Sequence, residues 1–113
     1  MSIAVVIFAL AAVGGLIMAI MRLRGRPLPP FGLAIAHGLA AASGLAVLIF
    51  AVAGGGMPAG GTIGLVLLLA AALGGFLLFS NHLRKKPLPI PLLIVHALVA
   101  VAGFLTLLIA TLT

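Results

Sequence analysis

The chain has 113 residues, 65% of them hydrophobic, and its six charges are all Lys or Arg with no Asp or Glu. Soluble domains carry about 25% charged residues, against 5% here, so a water-soluble globular protein is excluded. The chain has no cysteine, which removes disulfides and thiolate metal sites.

Four apolar runs fill nearly the whole chain: Ile3 to Met21, Phe31 to Ala53, Thr62 to Ser80 and Pro91 to Leu112. Each is close to the roughly 20 residues a helix needs to cross the hydrocarbon core. The first begins with no basic stretch before it, unlike a cleaved secretory signal. It ends at the basic loop carrying Arg22, Arg24 and Arg26, and Pro30 is expected to open the second helix. GGGMPAGG follows as an uncharged link, then the third run, the loop Arg84-Lys85-Lys86, and Pro91 at the start of the fourth run. Short basic loops stay in the cytoplasm. The expected placement is therefore a bacterial-type inner (plasma) membrane, multi-pass, with both termini outside. The charge is topogenic, so nucleic acid is not the expected partner; the lipid bilayer is. Without Trp or Tyr there is no interfacial aromatic belt.

The two halves resemble each other. Residues 11–29 (AAVGGLIMAIMRLRGRPLP) and 71–89 (AALGGFLLFSNHLRKKPLP) share nine of nineteen positions, and HGLAAASGL from His37 then aligns with HALVAVAGF from His96. The fold expected is an all-α integral membrane four-helix bundle built from two tandem helical hairpins, residues 1–54 and 62–113, joined by a link at 55–61. Copies of two spans each cross in the same direction, the parallel-repeat arrangement. The Gly14-Gly15 and Gly74-Gly75 pairs read as packing notches, since small residues let membrane helices approach.

His37 and His96 stand out. Each lies roughly 8 to 10 Å along its helix at 1.5 Å per residue, and ionisable groups within a membrane usually face the bundle interior. Residues three, four and seven further on share a helix face. These are Ala40, Ala41 and Gly44 for His37, and Val99, Ala100 and Gly103 for His96. Both imidazoles therefore look along faces of low bulk, with room for something flat. Haem b (iron protoporphyrin IX) fits that description, with His37 and His96 as axial ligands and Ala41, Gly44, Ala100 and Gly103 beside the ring. Each ligand needs its other nitrogen anchored, and the carbonyls of Leu33 and Leu92, one turn earlier, are the expected partners. Arg24, Arg26, Arg84, Lys85 and Lys86 are the candidate cations for the propionates. His82 aligns with Arg22 and is expected at the headgroups as a solvated interfacial residue.

Four apolar helices with paired intramembrane histidines, flanked by Gly44 and Gly103, resemble the small membrane b-type cytochromes. That resemblance implies one-electron transfer within the membrane rather than a self-contained enzyme, with a quinol or a redox partner subunit as electron source and an oligomer compatible with the pattern. It differs from the two-haem four-helix cytochromes in having one histidine pair. A non-haem accessory or anchor subunit of a larger membrane complex is the alternative, with the histidines as interhelical hydrogen-bonding groups; a transport or proton-relay role is a further one. The chain matches the small multidrug transporters in length only, and it lacks the intramembrane acid on which their proton exchange depends.

Overall fold

A computed structural model describes residues 2–113. Four helices make up the chain: α1 (Ile3–Leu23), α2 (Phe31–Ala53), α3 (Ala59–Leu83) and α4 (Ile90–Leu112). All four are long and apolar enough to cross a membrane, and the bundle measures 42 × 20 × 19 Å. The chain is thus an all-α, four-helix protein of the multi-pass membrane type. Large apolar side chains such as Phe50, Phe76 and Leu73 cover its outer surface, as expected where lipid rather than water is the solvent.

Ser2 caps α1, its hydroxyl accepting from the Val5 amide at 3.2 Å. Both helices that enter the basic loops end in the same way. After α1 the Gly25 amide donates to Arg22 O and Arg26 to Met21 O; after α3 Lys85 donates to His82 O and Lys86 to Asn81 O. This is the Schellman pattern, which needs a left-handed residue just past the helix. Gly25 supplies it with φ of 98°, and Lys85 supplies it with φ of 55° despite its side chain.

α3 is longer than its apolar run suggested. The link expected at 55–61 includes Gly60-Gly61, yet the helix starts at Ala59 behind the N-cap Pro58. The reason is packing. A Cβ on Gly60 would stand 3.0 Å from the Ala110 methyl, so glycine lets the start of α3 lie against the end of α4. At the other terminus the helix continues through His82.

α1 packs closely on α2 and α3 on α4, whereas the contacts of α2 with α3 and of α1 with α4 are sparser. The bundle therefore consists of two tight hairpins joined along a looser seam. Two apolar plugs hold that seam. One contains Val5, Phe8, Leu48, Leu68 and Leu107; the other, towards the basic loops, contains Leu78, Leu88 and Leu93. The two loops are also latched together, with the Leu88 amide donating to Pro27 O at 3.1 Å and Arg22 Nε to Leu88 O at 2.8 Å. Asn81, buried at the end of α3, donates to Pro87 O at 3.2 Å and fixes its own loop.

Candidate functional site

Between the two plugs lies a cavity of about 550 Å³. All four helices contribute to its walls, and the contributions match. Each α1 residue that lines it has a counterpart sixty positions later in α3, as with Phe8 and Leu68, Ala11 and Ala71, or Gly15 and Gly75. The walls are apolar, with Ala and Gly interleaved among Leu and Phe, and the polar side chains that line it are His37, His82 and His96.

His37 projects from α2 and His96 from α4, the two helices that face each other diagonally. Their ring centres are 6.3 Å apart and the ring planes are nearly perpendicular, at 81°. Each Nδ1 is hydrogen-bonded to a backbone carbonyl on the neighbouring helix: His37 to Ala11 O and His96 to Ala71 O, both at 2.7 Å. A carbonyl can only accept, so Nδ1 carries the proton. In a neutral imidazole that leaves the Nε2 lone pair unprotonated and available.

These partners correct the expectation of Leu33 and Leu92, which lie on the histidines' own helices. The carbonyls used belong to the other helix of each hairpin, and glycine makes the reach feasible. A Cβ on Gly15 would fall 2.8 Å from His37 Cε1, and one on Gly75 would fall 3.2 Å from His96 Cε1. A Cβ on Gly14 would stand 3.7 Å from His37 Cβ, and one on Gly74 would stand 3.4 Å from His96 Cβ. Each Gly-Gly pair is thus a seat for the imidazole of its hairpin partner as well as a packing notch. The signal was present in the sequence as a Gly-Gly pair and a histidine at matching depth within each hairpin.

The other candidate residues divide. Ala41 and Ala100 line the cavity beside the histidines. Gly44 and Gly103 do not, because the space they leave is already filled. A Cβ on Gly44 would meet the Phe8 ring at 3.0 Å, and one on Gly103 would meet Leu68 at 2.9 Å. These glycines admit a side chain from within their own hairpin rather than a guest. Arg24, Arg26, Arg84, Lys85 and Lys86 are exposed on the loops. Arg26 Nε donates to Leu28 O at 2.9 Å, and Arg84 is engaged with Ser80 O and Oγ at 3.3 Å. They stand at the same end of the bundle as the histidines but outside the cavity wall.

No family model, curated protein or solved structure matches the chain. The reading of the site therefore rests on its own geometry. Two histidines make a pair and not a cluster; among the described residues no three His, Cys, Asp or Glu side chains converge. A metal bound by protein side chains alone would be under-coordinated here, since zinc and its relatives take three or four such ligands.

His82 lies in the last turn of α3, at the loop end where the sequence put it, and is half-buried. It also lines the cavity, and its Nε2 is buried without a hydrogen-bond partner. The rings of Phe31 and Phe79 flank it, with centroids at 5.9 and 6.0 Å. The sequence signal, an Arg22 replaced by His in the second half, was legible as a difference but not as a direction.

Proposed function

We propose that the chain is a membrane b-type haem protein, holding one haem between His37 and His96 for one-electron transfer within the membrane. The observation that carries this reading is the pair of imidazoles facing one cavity, each with Nδ1–H fixed on a carbonyl and Nε2 left as a potential donor to metal. His37 and His96 would hold the group from the two hairpins, their ring centres standing 6.3 Å apart. A cavity of about 550 Å³ is within the usual range for cofactor sites, about 300–1,000 Å³. Four further equatorial donors from a macrocycle would complete a coordination sphere that two histidines alone leave open.

Held by His37 and His96, haem would supply reversible one-electron redox change. The chain's own residues do the rest. The carbonyls of Ala11 and Ala71 hold each imidazole in one tautomer and orientation and raise its basicity. The Ala and Gly positions in the walls would let a flat ring approach backbone. Phe8, Leu45, Leu68 and Phe104 make the far end of the cavity wholly apolar, which favours a carboxylate-bearing edge turned towards the loops.

The hairpins are read as tandem copies crossing the bilayer in the same sense, with termini outside and basic loops in the cytoplasm of a bacterial-type inner membrane. The matched cavity walls and the meeting of both loops at one end support that reading. Electrons would come from a quinol or a partner redox subunit.

A second reading, an accessory or anchor subunit without haem, draws on the same hydrogen bonds, because each joins two helices of a hairpin and such bonds contribute about 0.6–2 kcal/mol in membranes. It gives no role to the cavity that both imidazoles line. The absorption spectrum decides. Purified protein supplied with haemin should show a Soret band and sharp α and β bands on reduction. His37→Ala and His96→Ala should each abolish the low-spin spectrum. A preparation that stays colourless with added haemin would overturn the haem reading in favour of the accessory subunit.

A further inference from the structure

We propose that His82 anchors a carboxylate of the cavity's ligand at the loop end, and so fixes which way round that ligand sits. This rests on the haem reading above and adds a residue to it. The cavity walls repeat between α1 and α3, but His82 breaks the match: it lines the cavity, and its counterpart Arg22 does not. Arg22 is turned away, with Nε on Leu88 O at 2.8 Å. The Nε2 of His82 is the one buried side-chain polar atom among the described residues that lacks a partner. Burying a polar atom without a partner is costly and invites one from outside the chain; with its proton on Nε2, the imidazole would donate to an acceptor there.

The chain itself offers no acid, having neither Asp nor Glu, so an anionic partner must be brought in. The opposite end of the cavity is closed by Phe8, Leu68 and Phe104, where a carboxylate would have no donor. The loop end has His82 on the wall and six cations nearby. A planar ligand with acidic groups along one edge therefore enters with that edge towards His82. Phe31 and Phe79, packed at 5.6 Å from one another, flank the His82 ring.

The test compares haemin with haemin dimethyl ester, which keeps the iron and ring but masks both carboxylates. Dissociation constants are measured by Soret titration of the full-length protein in zwitterionic detergent. Wild type should bind haemin about tenfold more tightly than the diester, the size expected for one charge-assisted hydrogen bond. His82→Ala should keep the low-spin spectrum and lose the discrimination, and His82→Gln, which retains an N–H donor, should restore most of it. If His82→Ala discriminates as wild type does, the anchor is overturned while the haem reading stands. If wild type binds neither compound, both fall together. Addition of an anionic phospholipid should leave the discrimination intact. Its disappearance would assign His82 to a lipid headgroup and overturn the proposal.

Discussion

A methyl group on Gly15 would lie 2.8 Å from Cε1 of His37, closer than real side chains approach, so the position of the imidazole depends on the hydrogen atom that glycine carries there. Gly15→Ala must push the ring off the Ala11 carbonyl. The substitution gains about 1 kcal/mol of helix propensity, yet haemin affinity should fall about tenfold, the usual scale for disturbing a partner that orients a metal ligand. Gly75→Ala, whose methyl would lie 3.2 Å from His96 Cε1, a tight but less severe contact, should have a smaller effect in the same direction. Soret titration of both variants checks the order; equal affinity to wild type in Gly15→Ala would contradict it.

Gly44 and Phe8 form a lock within the first hairpin. A methyl at Gly44 meets the Phe8 ring at 3.0 Å, and overpacking of that kind costs about 1–3 kcal/mol. Gly44→Ala should lower unfolding free energy in detergent, and Phe8→Leu in the same chain should recover part of the loss. The coupling read from the double-mutant cycle is the measurement; strictly additive effects would mean that the two residues do not touch.

Lys85 carries a left-handed backbone, φ of 55°, at a position where the first half has Gly25. A non-glycine residue in that region costs about 1 kcal/mol. Lys85→Gly should therefore raise thermal stability by about that amount, and Gly25→Ala should reduce it similarly, since the Schellman bonds of both helices depend on that conformation. Thermal unfolding of the two variants in one detergent provides the comparison.

The chain has no cysteine, so single introduced thiols report topology without background. Gly56→Cys in the link should react with a membrane-impermeant maleimide on intact cells. Lys86→Cys should react only after permeabilisation, because short basic loops are retained in the cytoplasm. The reverse pattern would invert the proposed topology while leaving the bundle unchanged.

Helices and their number were legible because twenty apolar residues in a row have few other destinies. Where the helices end was less so: the start of α3 at Ala59 depends on Gly60 meeting Ala110 across the hairpin, a tertiary contact that overrides glycine's local cost. The histidine pair could be read from its depth in two similar segments. Its anchors could not, because Ala11 and Ala71 act through their carbonyls, and a backbone oxygen leaves no mark in the residue type. Gly44 and Gly103 looked like room for a guest. They are instead room for Phe8 and Leu68, a distinction between two occupants of one gap that spacing alone does not make.

The seam between the hairpins has a consequence for how the molecule comes together. α1 grips α2 and α3 grips α4 more closely than the pairs grip each other, so each hairpin is expected to form before the halves meet. Helices that are already inserted associate afterwards in the bilayer, so the seam is the surface that closes last. A rigid disc too wide to slip between packed helices would be captured at that late step, clasped as two shells shut around it, and its release would require the shells to part rather than the helices to melt.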